Sequence, residues 1–325
     1  MFCRLLSIML PAILLSAATV FHAAAQNYPI KPVRMILPTG SGGSLDTMAR
    51  LLAQKFTEIW GQQVIVENRP GGGGMLGAGA VAKAPPDGYT LLVASNGNLA
   101  TTQALYKNVP YDPVRDFSPI SLVASNPYLL VSHPSLPAKN MRELARLAKN
   151  KPGAINIASS GNGSTPHLAL ELLNSLSEIR LTHVPFKTSS GALMSVVSGE
   201  TSLMFTGVVS GLPFVSTGRL RALAVASEKR ISVLPNTPTI SNDGVPGYEA
   251  SNWAGLLAPA QTSPSIIKSL HRDTIKTLQL PDIRENFQRQ GLEIIGGTPE
   301  EFSAFIKSEI TKWTKVIRDS GAKID

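Results

Sequence analysis

Two short segments of the sequence combine glycine with small hydroxyl and amide side chains, and each directly follows an apolar run. The first, TGSGGS at residues 39–44, is called loop one, and the second, SSGNGST at residues 159–165, is called loop two. Each precedes a helix-forming run, so its backbone N–H groups and hydroxyl donors lie where the helix dipole favours negative charge. The chemistry that such a pair supports is the capture of one anion from two sides.

Loop one and loop two supply most of the residues expected to contact a ligand. These are Thr39, Gly40, Ser41, Gly42, Gly43 and Ser44 in loop one, and Ser159, Ser160, Asn162, Gly163, Ser164 and Thr165 in loop two. The alternative is that both loops are tight strand-to-helix turns in which glycine only provides a positive φ. In loop two, five hydroxyl or amide side chains in seven residues exceed what a turn requires, which favours binding.

Asp46 is expected in the first turn of the helix after loop one, and its role is open between two alternatives. It either complements the helix dipole or fixes loop one by accepting hydrogen bonds from N–H groups of the loop. Direct contact with an anion would be repulsive, so any contact with a ligand would pass through water or a hydroxyl group. On that basis Asp46 is included in the predicted site.

Four more residues complete the predicted site. Ser95 and Asn96 lie at the end of a predicted strand, where a dinucleotide-binding fold would carry an acidic residue that binds the ribose. Because that acid is absent, the GxGxxG match at residues 72–77 is interpreted as a loop at the rim of the cleft and not as a dinucleotide site. Lys187 is either a cation in the cleft or a solvated loop residue. Thr206 follows an apolar strand and is expected in the distal part of the cleft, where ligand specificity is set.

Catalytic and metal-binding signatures are scarce in the sequence. It contains no GxSxG elbow, no HExxH motif and no pair of cysteines. His133, His167, His183 and His271 are isolated and lack metal-ligand spacing, so no metal and no cofactor are expected. His167, at a predicted helix start, is interpreted as a capping or packing residue. A secreted enzyme that pairs Ser160 with His167 or His183 is an alternative to a binding protein.

The composition is typical of an exported globular protein. Arg4, the apolar residues 5–18 and AAA at residues 23–25 predict a signal peptide at residues 1–25 and a periplasmic location. The only cysteine, Cys3, falls inside that segment, so no disulfide is expected in the mature chain. A formal net charge of +8 would favour small anions, but basic residues do not alternate with aromatic residues, which argues against nucleic acid.

Strand-like and helix-like segments alternate along the chain, which predicts an α/β fold with largely parallel sheets. Strands are predicted at residues 33–37, 64–67, 89–94, 120–124, 128–131, 155–158, 181–184, 203–205, 220–226 and 253–258. Helices are predicted at residues 45–60, before Lys83, at 140–149, from Pro166, at 192–197 and from the capping box that begins at Thr298. The roughly 300 residues after the signal peptide suffice for two domains.

Motifs spread through the predicted mature chain resemble those of one family, the exported solute-binding proteins of tripartite tricarboxylate transporters, which include the Bug-type proteins. The matching motifs lie at residues 38–46, 48–50, 66–71, 86–92, 105–107, 111–113, 160–163, 183–187, 221–225, 255–260 and 298–302. In combination these motifs are highly specific to the family. The resemblance covers nearly the whole of the predicted mature chain.

The resemblance implies a type II periplasmic-binding-protein fold, in which two α/β lobes are joined by crossover strands and close on a ligand. Residues 26–123 plus 228–325 are expected to form lobe 1, and residues 124–227 are expected to form lobe 2. Loop one and loop two would then hold one carboxylate between them, partly through ordered waters. The expected partners are a small carboxylate and integral-membrane transporter subunits, with no nucleic acid and a monomeric chain.

Two departures from the family pattern bear on the ligand. Relatives often have glycine where this chain has Thr188, and many have aspartate where it has Ser202 and Thr206. Fewer acids near the cleft disfavour a ligand with an ammonium group, so a di- or tricarboxylate or an aromatic acid is expected. A sensor module that presents the same acid to a membrane signalling receptor is an alternative that the sequence does not separate from transport.

Overall fold

The structure is a computed structural model that describes residues 28–324, so the predicted signal peptide at residues 1–25 lies outside it. Its strands are β1 (Val33–Leu37), β2 (Val64–Asn68), β3 (Thr90–Ser95), β4 (Phe117–Asn126), β5 (Tyr128–Ser132), β6 (Asn156–Ser159), β7 (Thr182–Pro185), β8 (Leu203–Gly207), β9 (Arg221–Val225), β10 (Asn252–Pro259) and β11 (Glu293–Ile294). Its helices are α1 (Ser44–Trp60), α2 (Met75–Ala82), α3 (Thr102–Leu105), α4 (Met141–Asn150), α5 (Thr165–Ser177), α6 (Ser189–Val197), α7 (Val208–Ser216), α8 (Pro264–Leu278), α9 (Pro281–Arg289) and α10 (Pro299–Ser320). None of the helices within residues 28–324 is both long and apolar enough to cross a membrane.

Helix α1, which follows loop one, forms for reasons that are visible in its sequence. Met48, Leu52 and Phe56 recur every four residues and are buried, so one face of the helix packs against sheet one. The helix ends at Gly61, whose φ of 62° lies in the left-handed region that glycine adopts without steric cost. These signals place the first turn of α1, and with it loop one, at the end of β1.

The strands form two sheets, with the order β11-β4-β10-β3-β1-β2 in sheet one and β7-β6-β8-β5-β9 in sheet two. Parallel pairing is confined to β1, β2 and β3 in sheet one, and to β6, β7 and β8 in sheet two. The other pairings are antiparallel, so the prediction of largely parallel sheets is wrong. The reason is the path of the chain between the two sheets. The chain leaves sheet one at the end of β4 and returns at the same end as β10, so β10 must run antiparallel to β4.

A crossover of one residue, Pro127, joins the two sheets. Asn126, at the end of β4, pairs with the first residue of β10, and Tyr128, at the start of β5, pairs with Gly207 at the end of β8. The chain returns through residues 226–251, where the Ala226 N–H donates to the Tyr128 carbonyl at 2.9 Å. The edge of sheet one where β1 to β3 end therefore adjoins the edge of sheet two where β6 to β8 end.

Helix α10 packs against the cores of both sheets. Phe302 near its start is buried in the core of sheet one, and Trp313 near its end is buried in the core of sheet two. Between them the buried Glu309 carboxylate accepts the indole N–H groups of Trp253 and Trp313 at 3.1 Å and 3.0 Å. The division of the chain into lobe 1 and lobe 2 at particular residues stays a prediction.

Candidate ligand-binding site

The residues predicted to form the site lie at the adjoining edges of the two sheets. On sheet one, loop one follows β1, and Ser95 and Asn96 lie at the end of β3. On sheet two, loop two follows β6, Lys187 follows β7, and Thr206 lies near the end of β8. Ligands of open α/β sheets bind at the carboxyl ends of parallel strands. The topology thus brings the predicted residues to the two sides of one crossover.

Two side chains beside the crossover lie next to the two loops. Asn126 donates from Nδ2 to Ser44 Oγ at 3.0 Å, and the Tyr128 hydroxyl lies beside the Thr165 side chain. Burial raises the pKa of Tyr128 to about 12, so this hydroxyl keeps its proton. Asn126 and Tyr128 are two residues apart, about 7 Å of extended chain. Ser44 and Thr165 therefore lie on either side of the same short segment.

Loop one is fixed from behind by the carboxylate of Asp46. Asp46 Oδ2 accepts the Gly42 N–H at 3.0 Å, and its Oδ1 accepts Asn68 Nδ2 at 2.9 Å. Asn68 Nδ2 also donates to the Thr39 carbonyl at 3.1 Å, which ties the other end of the loop to β2. Residues 40–43 between these anchors are exposed to solvent.

Asp46 itself is buried and its oxygens already have partners. Arg50 lies one turn further along α1 and donates from Nε to Asp46 Oδ2 at 3.1 Å. Burial acts to raise the pKa of Asp46, but the hydrogen bonds from Arg50, Gly42 and Asn68 outweigh it and lower the pKa to about 2. Of the two roles considered for Asp46, this geometry is that of an ionised anchor for loop one.

Loop two is held by hydrogen bonds among its own residues. Ser159 Oγ accepts the Gly161 N–H at 3.0 Å, and Ser164 Oγ donates to the Gly161 carbonyl at 2.7 Å. The Gly163 N–H donates to Nδ1 of His167 at 3.0 Å. Residues 160–165 are partly exposed, whereas Ser159 is buried. Loop two is thus a preformed, partly accessible turn at the start of α5.

A pair of histidines lies directly beneath loop two. The rings of His167 and His183 stack with centroids 4.0 Å apart and an angle of 9° between their planes. His183 Nε2 lies 2.6 Å from Ser159 Oγ, and His167 Nε2 lies 3.5 Å from a carboxylate oxygen of Glu171. Burial, with a smaller contribution from His167, lowers the pKa of His183 to about 4. His183 is therefore neutral near pH 7.

This pairing differs from the Ser–His pair considered from the sequence. The serine that meets His183 is Ser159, not Ser160, and Ser159 is 1% exposed. The same hydroxyl is already bonded to both the N–H and the carbonyl of Gly161. The contacts made by Ser159 are those of a group that holds the turn, and they leave its oxygen buried beneath loop two.

The helices that follow the two loops begin without a side-chain cap. Within residues 28–324, the N-cap residues of α1 and α5, Gly43 and Ser164, make no capping hydrogen bond. By contrast, α6 is capped by Thr188, which accepts the Gly191 N–H at 3.1 Å. Thr188, one of the departures from the family pattern, therefore caps a helix. The first-turn N–H groups of α1 and α5 have no side-chain partner of this kind and are suited to an anion.

The remaining predicted residues occupy different environments at the two edges. Ser95 and Asn98 bond to each other, with the Ser95 N–H donating to Asn98 Oδ1 at 3.1 Å. Asn96 is 0% exposed, and among the described residues neither its amide oxygen nor its amide nitrogen has a hydrogen-bond partner. Thr206 is buried, and Lys187 is exposed. Contact of these residues with a ligand stays a prediction.

The arrangement offers neutral donors to a negative group. Loop one and loop two contribute backbone N–H groups and hydroxyls, and the charged Asp46 is paired with Arg50 behind loop one. Within residues 28–324 there is no cluster of three or more His, Cys, Asp or Glu side chains that could hold a metal ion.

Comparisons with known proteins agree on one family. The model of the tripartite tricarboxylate transporter family receptor matches residues 48–322. Protein BugT of Bordetella pertussis is 36% identical over 302 residues, which are 93% of this chain and 93% of BugT.

Solved structures of high similarity have been determined with carboxylates. An R. palustris protein with adipate has a TM-score of 0.78 and 34% identity, covering 91% of this chain and 99% of that protein. MatC from Rhodopseudomonas palustris with bound malate has a TM-score of 0.73 and 31% identity, covering 89% of this chain and all, 100%, of MatC. These similarities confirm the predicted two-lobe fold of the type II periplasmic-binding proteins.

Proposed function

This chain belongs to the tripartite tricarboxylate transporter receptor family, and we propose that it is a periplasmic binding protein that delivers a small carboxylate to a membrane transporter of that kind. The predicted signal peptide at residues 1–25 supports export to the periplasm. The receptor character of the family supports capture of the ligand without chemical change.

The observation that carries the proposal is the pair of helix starts at the crossover. Loop one precedes α1 and loop two precedes α5, and neither helix has a capping side chain. Asn126 bonds to Ser44 of loop one on one side of the crossover, and Tyr128 lies beside Thr165 of loop two on the other. A carboxylate between them would accept N–H and hydroxyl donors in place of its water shell, with favourable helix dipoles on both sides.

Closure would occur about the two connections between the sheets. Because Pro127 and residues 226–251 are the links beside the site, rotation of one lobe against the other would change the distance between loop one and loop two. The donors of one lobe alone would bind the carboxylate weakly. The ligand would therefore favour the conformation in which both loops contact it. The closed form is the form that a transporter would recognise.

A ligand without an ammonium group suits the neutral character of the site. Ser202 and Thr206 replace the aspartates of many relatives, and Asp46 is engaged by Arg50 and Asn68. An ammonium group would find no free carboxylate among these residues. Relatives solved with adipate and with malate support the same class, di- or tricarboxylates, with aromatic acids as the other class to test.

Thermal unfolding and calorimetric titration with a panel of acids test the proposal. The panel contains malate, succinate, adipate, citrate, benzoate and glutamate, with sodium chloride at matched ionic strength as the control. A bound acid at about 100 times its Kd should add about 2.7 kcal/mol to the free energy of unfolding. We expect a carboxylate without an amino group to give the largest shift.

Two results would contradict the proposal. The first is the absence of any shift or binding heat with every acid of the panel. The second is recovery of a bound acid in altered form after incubation, which would favour an enzyme. Crosslinking of the liganded protein in membranes separates the transport role from the sensor role, because a transporter subunit is expected and a signalling receptor would contradict it.

A further inference from the structure

His167 occupies a position from which it controls the shape of loop two. It is the third residue of α5, and its side chain is 9% exposed. Its Nδ1 accepts the Gly163 N–H at 3.0 Å, so Nδ1 carries no proton, and the proton of the neutral ring is on Nε2. The side chain therefore acts as a hydrogen-bond acceptor for the backbone four residues earlier.

The orientation of the His167 ring is fixed by its neighbours. On one face His183 stacks at 4.0 Å, and His183 is itself held by Ser159 at 2.6 Å. At the other nitrogen, His167 Nε2 lies 3.5 Å from a carboxylate oxygen of Glu171. These contacts direct Nδ1 towards loop two.

The bond to His167 adds to the hydrogen bonds that Ser159 and Ser164 make to Gly161 in loop two. Gly163 has a φ of 71°, in the left-handed region, and it lies between two partly exposed residues. If its N–H lost its acceptor, the backbone of Gly163 would be held less tightly, because glycine tolerates many backbone conformations. The directions of the first N–H groups of α5, which follow Gly163, would then be less fixed.

We propose that His167 is a positioning residue of the carboxylate site: its neutral ring holds the Gly163 N–H, and thereby keeps loop two in the conformation that offers its donors to the ligand. The proposal rests on the proposed function. A neutral acceptor is suited to this place because a carboxylate there, without a cation such as the Arg50 that pairs with Asp46, would put unpaired negative charge behind an anion site.

Two amide variants differ in whether they reproduce the acceptor. In His167→Asn, the amide oxygen takes the place of Nδ1 and can accept the Gly163 N–H. In His167→Gln, the amide is one methylene further out, in the place of Nε2, and cannot reach it. With the acid of the panel that binds wild type most tightly, we expect Kd to rise about tenfold or more for His167→Gln and about threefold or less for His167→Asn.

Amide hydrogen exchange of Gly163, followed by NMR in the unliganded protein, gives a second and ligand-independent measurement. We expect slow exchange in wild type and in His167→Asn, and exchange at least about tenfold faster in His167→Gln. A residue with only a packing role would not produce rescue by asparagine in both measurements. Circular dichroism establishes that each variant is folded.

The possible outcomes separate this proposal from the proposed function. If wild type binds no acid of the panel, the proposed function fails, and the exchange of Gly163 still decides whether His167 holds the loop. If His167→Gln binds like wild type, or His167→Asn loses as much affinity as His167→Gln, the positioning role is wrong while the binding function stands. Should His167→Gln not fold, rapid exchange of Gly163 in wild type would overturn the proposal.

Discussion

Loop one and loop two are fixed by the same arrangement but with different kinds of acceptor. In each, the third residue of the following helix accepts the N–H of a glycine four residues earlier: Asp46 from Gly42, and His167 from Gly163, both at 3.0 Å. The two glycines have φ values of 85° and 71°. The shared requirement is an acceptor at this position, and the difference is its charge, because the first is an ionised carboxylate and the second a ring that accepts in its neutral form.

The difference in charge goes with a difference in surroundings. Asp46 is neutralised by Arg50 and receives a further donor from Asn68, whereas His167 stacks on the neutral ring of His183. The anchor of loop one is thus a carboxylate whose charge is paired, and the anchor of loop two is a neutral ring. The comparison teaches that the shape of such a loop depends on one hydrogen bond, and that neighbouring residues then adjust the electrostatics for an anion.

The largest expected effect follows from removing the charged anchor. Asp46→Ala removes the acceptor of both Gly42 and Asn68, and we expect the free energy of unfolding to fall by about 3 kcal/mol. Asp46→Asn keeps an oxygen for Gly42 and should lose about 1–2 kcal/mol, since its ion pair with the half-exposed Arg50 contributes little. Urea unfolding measures both; equal losses would show that charge, and not the hydrogen bond, fixes loop one.

Asp46, the anchor of loop one, and His183, which stacks on the anchor of loop two, should lose their stabilising effect in different pH ranges. The pKa of His183 is about 4 in the folded protein against an ordinary 6.5, mainly because of burial. The unfolded chain therefore binds a proton before the folded protein does, and stability falls as the pH falls from 6.5 to about 4. For Asp46 the corresponding window runs from 3.8 to about 2. We expect losses of about 2 kcal/mol from His183 and about 1–2 kcal/mol from Asp46.

Urea unfolding at a series of pH values checks this order, with one variant for each window. His183→Gln should flatten the decline between pH 6.5 and about 4, and Asp46→Asn should flatten only the decline below 3.8. At each pH, the difference in the free energy of unfolding between a variant and wild type separates the contribution of His183 or Asp46 from those of the other histidines and acids of the chain. If His183→Gln left the upper window unchanged, the folded environment of His183 would not be the one described.

Local signals made loop one, loop two and the starts of α1, α4, α5 and α10 predictable. The Gly/Ser/Thr composition after an apolar run gave the positions of both loops, and the capping box at Thr298 is present at the start of α10. The same kind of signal marks α8, where Ser263 accepts the Ile266 N–H before Pro264, but the sequence analysis did not use it. Element starts are readable because the partners are three or four residues apart.

Other contacts around the loops depend on partners distant in sequence. His183 reaches Ser159 because β6 and β7 pair in parallel with His183 beside Ile157, which puts His183 and Ser159 on one face. Asn68 reaches Asp46 from the neighbouring strand β2. Both contacts depend on the register of paired strands, and this register cannot be read from a single segment of the sequence. The directions of β5 and β10 follow from the crossovers and were not predictable from strand and helix alternation.

The smallest expected effect compares the two glycines themselves. Gly42→Ala places a methyl group where no atom lies within 4 Å, so its cost is the left-handed backbone alone, about 1 kcal/mol. At Gly163 the same methyl group would lie 2.5 Å from Ile324 Cγ2, and we expect Gly163→Ala to lose about 2 kcal/mol. Urea unfolding of the single variants and of Gly163→Ala with Ile324→Ala measures the contact as a coupling. If the tail residue Ile324 causes the additional loss, its removal should return the cost at Gly163 to that at Gly42. An unchanged cost would mean that loop two is strained by its own backbone and hydrogen bonds, which would make its conformation more dependent on His167 than that of loop one is on Asp46.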